Sequence, residues 1–355
     1  MKAMLLAAGY GERMLPITRV VPKALIPVLG RPLAPQILAR LGAEGIDEAV
    51  INLHHLPQPL RDAFGDGAGM GLRALHYSLE EERLLGTGGG LAHAAAQLKG
   101  AGTILVRNSD FLADIPLSTV VASHLRSGCP ATIVVAPHRP GYTPVTLNNR
   151  HSVAAFGEEH GGRYLFTGYH LIEESVLDLI PRDAPSDIVR DVYFGLAADG
   201  RLNAHVHDGF WWEFGSPRRY LEGSMRLVAL QAERRMRLGD FDAVRAAGGA
   251  IAAMGAGADV SAAGIQLVGT LAIGMGVMVG EGATLIDTVV MPEAWVGPGS
   301  TLRRCIVAPG TEIPVEFNAS DALLAADIDR AASPVRGIER VAGLLVRRFS
   351  GSAAS

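Results

Sequence analysis

Four residues near the start of the chain have the chemistry of an anion site: Gly9, Gly11, Arg13 and Lys23. In Gly9-Tyr10-Gly11-Glu12-Arg13 the two glycines allow a sharp turn that presents bare N–H groups to an anion. The Arg13 guanidinium adds a fork of donors suited to phosphate oxygens. Lys23 follows Pro22 and stands between Pro16 and Pro27, which restrict the backbone around it. Together these residues predict a phosphate cradle with two fixed cations. It is not a Walker loop, because Glu12 follows Gly11 where Lys-Ser/Thr would be needed, and it is not a dinucleotide fingerprint, because Met14 stands where the third glycine belongs. Downstream, Leu85-Gly86-Thr87-Gly88-Gly89-Gly90-Leu91 places four glycines in five residues. That composition weakens a helix and suits close approach of backbone to a flat ligand. Asp110 ends Arg107-Asn108-Ser109-Asp110 after the apolar run Thr103–Val106. An acid at the carboxyl end of a central strand lies over the ligand crevice of an open α/β sheet, where a phosphate-bound metal would be. On the same ground Asn52 and His54, at the end of the run Ala49–Leu53, are candidates for nucleotide or sugar contact.

The order Gly9, Gly11, Arg13, Met14, Pro16, Thr18, then Pro22, Lys23, Ala24, Leu25, Pro27 resembles a two-part element of the sugar-1-phosphate nucleotidyltransferases: Gly-x-Gly-x-Arg-Leu/Met-x-Pro-x-Thr, then Pro-Lys-Ala/Pro-Leu-x-Pro. The resemblance implies nucleotide contacts at Leu6, Ala8, Gly9, Gly11, Arg13, Gly86, Thr87 and Gly88, and catalytic roles for Arg13, Lys23 and Asp110. It implies a magnesium ion on two acids. The first is Asp110, in the place of the family's Asn-Gly-Asp, with Ser109 for its glycine. The second falls in Trp211-Trp212-Glu213-Phe214-Gly215-Ser216-Pro217, where the family has Asp and this chain has Glu213. Sugar contacts are implied at Glu158, Gly168 and Asn52. The family's lysine that meets the sugar phosphate is missing from Phe156-Gly157-Glu158-Glu159-His160, which leaves the sugar open, with Arg163 or His160 as stand-ins. The reaction implied joins a nucleoside triphosphate to a sugar 1-phosphate with release of pyrophosphate. The sugar phosphate is already an anion at neutral pH, so no side-chain base is needed. The Gly-Thr-Gly-Gly run is similar to that of mannose-1-phosphate guanylyltransferases and favours GTP and a mannose-type sugar. The Gly-Glu-Arg-Met loop is similar to that of N-acetylmuramic acid 1-phosphate uridylyltransferases. The alternatives are therefore a uridylyltransferase for a hexose or N-acetylmuramic acid 1-phosphate, a non-catalytic subunit that binds sugar nucleotide for regulation, and an enzyme for a non-sugar phosphate such as phosphocholine.

These residues need a framework. A chain of 355 residues, 48% apolar, has room for two domains and a large core. A net charge of −4 gives no basis for nucleic-acid binding. Cys129 and Cys305 form no metal or disulfide pattern. The opening apolar run breaks at Gly9, too short for a signal peptide, and no stretch reaches membrane-spanning length, so the cytoplasm is the expected location and no membrane partner is expected. Apolar runs predict strands at Met4–Ala8, Ala49–Leu53, Leu72–Ser78, Thr103–Val106, Ala131–Ala136 and Tyr164–Ile172. Helical spacing predicts helices at Pro32–Glu44, Leu91–Leu98, Pro116–Arg126, Val176–Ile180 and Arg218–Arg237. The fold class is α/β, a Rossmann-like mixed sheet flanked by helices. From about Ala250 the pattern changes to a six-residue rhythm: Ile273, Val279, Leu285, then Val290, Val296, Leu302, Ala308. This hexapeptide repeat predicts a short left-handed parallel β-helix. Every His lies at or before His207, so the repeat has no His base for acyl transfer and is assigned to self-association as a homo-oligomer. The expected division is 1–222 for the catalytic domain, 223–249 for a helical linker, 250–316 for the β-helix and 317–355 for a tail. The tail's Val335, Ile338, Val341, Leu344 and Leu345 predict a capping helix over Pro334–Phe349, with Ser350–Ser355 disordered.

Overall fold

The contiguous apolar runs become the middle of a mixed sheet, which has nine strands among the described residues. The computed structural model describes residues 1–182, 184–233, 242–245, 249–328 and 335–349. From one edge the strands are Ala74–Leu79, Glu48–Leu53, Lys2–Leu6, Thr103–Asn108 and Tyr164–Glu173. The first four run parallel; Tyr164–Glu173 is antiparallel to Thr103–Asn108 and to Ala131–Pro137, which in turn pairs in parallel with Leu202–Val206. Register aligns Leu6 with both Asn52 and Asn108, so three strands end together. Ala49, Val50 and Ile51 are all fully buried, as expected of a strand covered on both faces. The helix Leu33–Ala43 turns Leu33, Ala34, Ile37, Leu38 and Leu41 inward, a stripe at helical spacing. No helix of the described residues is long and apolar enough to cross a membrane.

The glycine-rich run departs from expectation. Helix begins within it, as Gly86–His93 followed by Ala95–Leu98, rather than at Leu91. Tertiary packing overrides the poor helix propensity of glycine here. A Cβ on Gly86 would lie 2.6 Å from the Ser186 carbonyl oxygen, and one on Gly90 would lie 2.7 Å from Asn52 Nδ2. Val176–Ile180 is likewise not an α-helix but part of the 3₁₀ turns Glu174–Leu179, held short by Pro181.

The chain forms two compact units. The first comprises Met1–Tyr10, Pro22–Leu25 and Leu33–Trp212; the second comprises Gly11–Val21, Ile26–Pro32 and Glu213–Ser355. The expected boundary at 222 thus falls at 212/213, and two N-terminal segments belong with the C-terminal part. Specific bonds inside the second unit account for this. Arg13 pairs with Glu213, the Tyr220 hydroxyl donates to the Pro27 carbonyl, and Arg347 donates to the carbonyls of Glu12 and Leu15.

In the second unit three parallel sheets carry the six-residue rhythm. Ile273 pairs with Val290, Val290 with Val307, and Val307 with Leu324, a step of 17 residues each time. The strand Met278–Val279 pairs with Trp295–Val296 and that with Glu312–Ile313, again in steps of 17. Gln266–Val268, Thr284–Ile286, Thr301–Arg303 and Asn318–Ser320 form the third face. Three short strands per turn of chain are the coil of a parallel β-helix. Ile273, Val279, Leu285, Val290, Val296 and Leu302 all face its core, as their spacing requires. One corner repeats with positive φ at Asp287, Arg304 and Asp321 (46°, 51° and 49°). Local bonds offset the strain: Asp287 Oδ1 accepts from the Thr270 amide at 2.9 Å, and Arg304 Nε donates to Asp321 Oδ1 at 2.8 Å. The coil extends past the expected limit at 316, through Ala322–Ala326.

The tail is not a helix. Glu339–Val341 and Leu344–Arg348 are antiparallel strands, the second paired with Ala322–Ala326. A sheet edge offers unpaired backbone groups that a helix could not satisfy. Leu344, Leu345 and Val346 are buried in succession, which a strand at a covered edge permits. Pro334 and Ser350–Ser355, and the end of the expected helix Arg218–Arg237 from residue 234, lie outside the described residues, in which the helix is Pro217–Ala232. Truncating the solenoid core tests its contribution: Leu302→Ala, at a fully buried position, should lower unfolding free energy by about 2–5 kcal/mol in chemical denaturation, and a loss under about 0.5 kcal/mol would show a site able to collapse.

Candidate active site

The first unit holds a pocket where the strands end together. Leu6, Ala7, Ala8 and Gly9 line it, with Asn108, Ser109 and Asp110 from the neighbouring strand end, Asn52, Lys23, and Leu84, Gly86 and Thr87 from the second glycine motif. The carboxyl ends of parallel strands are where open α/β sheets bind ligands. Lys23 Nζ lies 2.5 Å from Asp110 Oδ2, with both side chains under one-fifth exposed. Cation and acid, 87 residues apart in sequence, therefore meet at the pocket wall. The turn that presents Asp110 is braced from below. Arg107 Nη2 donates to the Phe111 carbonyl at 3.0 Å, and its guanidinium lies 4.3 Å from the Phe111 ring centroid. Burial pushes the Arg107 guanidinium down to about 10, which leaves it protonated at neutral pH.

Asn52 lines the pocket but is engaged from inside. Its Oδ1 accepts from the Ala7 amide at 2.7 Å, and its Nδ2 donates to Glu80 Oε1 at 2.7 Å. Glu80, buried, also accepts from the Leu85 amide at 2.8 Å. This network ties the first strand to the glycine-rich helix, and nothing local marks it, since Glu80 stands in a run of three glutamates of which Glu81 and Glu82 are exposed. Gly88 is not a pocket-lining residue. Its amide donates to the Ser186 carbonyl at 2.8 Å, and a Cβ there would lie 2.6 Å from Ser186 Oγ. Thr87 Oγ1 accepts from the Ile188 amide at 3.0 Å. Asp187 Oδ1 accepts from the amides of Val189 and Arg190 and so caps the helical turn that follows it. Of the implied sugar contacts, Gly168 has φ +78° and leaves room for Asn108, whose Nδ2 would lie 2.7 Å from a Cβ. Glu158 stands on an exposed 3₁₀ turn and does not line the pocket.

Gly11 and Arg13 lie in the second unit. Gly11, at φ +68°, opens a 3₁₀ turn over Glu12–Met14, in which the Met14 amide donates to the Gly11 carbonyl at 2.7 Å. Thr18 Oγ1 donates to the same carbonyl at 2.9 Å. Met14 is fully buried and anchors the turn, while the Arg13 side chain is 58% exposed. Arg13 Nη2 lies 3.0 Å from Glu213 Oε1, and Arg219 Nη1 lies 2.5 Å from Glu213 Oε2. A Cβ at Gly215 would come within 3.0 Å of the Glu213 carboxylate and the Arg13 guanidinium, so the glycine leaves room for this pair as it stands. Both carboxylate oxygens of Glu213 thus face guanidinium groups, and sequence reading missed Arg219, one of several arginines on a charged helix.

Among the described residues no three His, Cys, Asp or Glu side chains cluster to hold a metal. An ion at Asp110 would take its remaining oxygens from phosphate and water, which is how magnesium is commonly held.

The nucleotidyl transferase family profile matches residues 2–229, and the chain belongs to that family. Nucleotidyltransferases of this family use a divalent metal. By sequence the chain is 29% identical over 318 residues to mannose-1-phosphate guanylyltransferase of Mycobacterium tuberculosis, with 85% of this chain and 83% of that protein covered. It is 27% identical over 362 residues to UTP–glucose-1-phosphate uridylyltransferase of Synechocystis sp., with 91% and 93% covered. Among solved structures, HddC from Yersinia pseudotuberculosis shares the fold, with a TM-score of 0.55 at 17% identity over 64% of this chain and 99% of that one.

Proposed function

We propose that this chain transfers a nucleotidyl group from GTP to a mannose-type sugar 1-phosphate, giving the nucleoside-diphosphate sugar and pyrophosphate. The observation that carries the reading is the Lys23–Asp110 pair on a pocket walled by both glycine motifs. A phosphate oxygen of the sugar 1-phosphate attacks the α-phosphorus, and the bond from that phosphorus to the bridging oxygen of the β-phosphate breaks. The nucleophile is anionic, so the protein's task is to offset repulsion and hold the reactants in line. Lys23 turns from Asp110 to the α-phosphate and the incoming phosphate. Arg13, exposed on its turn, offsets charge on the departing pyrophosphate. Asp110 is the residue of the pocket that would hold magnesium, which when bound neutralises phosphate oxygens and polarises the α-phosphorus. Gly9, Gly86 and Thr87 lie against the nucleotide, and Leu6 and Ala8 form the apolar wall beneath it.

The guanylyl and mannose assignment rests on the similarity to the mycobacterial guanylyltransferase; the similarity to the cyanobacterial enzyme supports a uridylyltransferase as the second reading. A solely regulatory subunit is disfavoured, because Lys23 and Asp110 are both in place. Self-association is assigned to the β-helix. Pyrophosphate release, measured with magnesium over four nucleoside triphosphates and a set of sugar 1-phosphates, tests the reading. GTP with mannose 1-phosphate should give the largest kcat/KM; a maximum with UTP transfers the assignment to the second reading, and no release from any pair refutes both.

A further inference from the structure

We propose that Arg347, near the end of the chain, is a positioning residue for the turn that carries Arg13. Its Nη1 donates to the Glu12 carbonyl at 3.0 Å and to the Leu15 carbonyl at 3.2 Å. The two acceptors straddle Arg13 and Met14, so one guanidinium nitrogen spans the 3₁₀ turn from its first residue to the residue after it. Glu12 O already accepts from the Leu15 amide at 3.2 Å, and Arg347 takes its second lone pair. The Gly11 carbonyl is fixed by Thr18 and by the Met14 amide. Thus the carbonyls of Gly11, Glu12 and Leu15 all have side-chain donors, and the turn holds its shape although Glu12 and Arg13 face solvent.

The brace is itself firmly held. Arg347 sits on Leu344–Arg348, aligned with Leu323 in an antiparallel ladder, and the preceding Leu344, Leu345 and Val346 are buried. The solenoid edge therefore sets where the guanidinium lies. A guanidinium is planar and presents its N–H donors in a fixed geometry, so one nitrogen can serve both carbonyls. The adjacent Arg348 has the same charge but is 61% exposed and lies 3.9 Å from Glu339, away from the turn. The inference builds on the reading of Arg13 as a phosphate donor: with the turn braced, Arg13 is presented in one orientation before the triphosphate arrives.

The test compares full-length Arg347→Ala, Arg347→Lys and Arg348→Ala with the parent chain, by amide hydrogen exchange at Met14 and Leu15, by thermal unfolding and by steady-state kinetics. Arg347→Ala should speed exchange at both amides and raise KM for the triphosphate about tenfold, with KM for the sugar phosphate within about twofold. Arg347→Lys, which keeps the charge but not the fork, should fall between, and Arg348→Ala should match the parent. Parent-like exchange and triphosphate KM in Arg347→Ala overturn the inference. So does a rise of both KM values that Arg348→Ala reproduces. If Arg347→Ala does not fold, Arg347→Lys decides: faster exchange at Met14 and Leu15 supports the brace and parent-like exchange refutes it. If the parent turns over no substrate pair, the functional reading fails, while the exchange measurement still decides the role of Arg347.

Discussion

Replacing Lys23 by Ala is expected to lower turnover about 10²- to 10³-fold, the range found when one preorganised donor to a developing charge is removed. Its ammonium is held at the pocket wall by Asp110 before substrate binds, and exchanges that carboxylate for the α-phosphate when the triphosphate arrives. The fold should survive. The Asp110 side chain retains 17% of its exposure, and losing a charge-assisted bond there should reduce stability by about 1–3 kcal/mol. The measurement is kcat at saturating triphosphate and sugar phosphate, alongside an unfolding curve. A variant that unfolds normally and turns over within about threefold of the parent would remove Lys23 from the chemistry.

Asp110→Asn should be at least as severe, by about 10³-fold or more, because it keeps size and hydrogen bonding but removes the charge a divalent ion requires. Two further readouts distinguish this loss from that at Lys23. Raising magnesium should not restore the rate. Nucleotide affinity without metal should be unchanged or tighter, since Lys23 loses the carboxylate that competes with phosphate for it. Retained turnover with normal magnesium dependence would assign Asp110 to structure alone.

The core strands were legible because parallel strands buried on both faces leave unbroken apolar runs, as in Ala49–Leu53. The solenoid was legible because inward positions recur after six residues, with one step of five from Leu285 to Val290, and these positions from Ile273 to Leu302 are buried. The phosphate cradle is an expectation from glycines, prolines and cations close in sequence, of which Gly9 and Lys23 line the pocket. What escaped notice depends on pairings between distant segments. Val335, Ile338, Val341, Leu344 and Leu345 fit a helix, yet the open edge at Ala322–Ala326 recruits a strand. Nothing local singles out Glu80 from Glu81 and Glu82, or Arg219 and Arg347 from their neighbours, because burial and partner decide their roles. Gly88 is expected against a nucleotide because the glycine-rich composition shows that something comes close; Ser186 of the protein itself comes close to it.

The Gly11–Leu15 turn leaves the ribosome long before the residues that hold it. Arg13 waits 200 residues for Glu213, and the Glu12 carbonyl waits 335 for Arg347. At translation rates of about 5–20 residues per second, the second of these intervals lasts roughly 20–70 s. A nascent chain thus carries the Gly11–Leu15 turn unfinished until Arg347 has emerged, and a message cut short before that codon would yield a protein with most of its sheet and a turn that lacks its brace.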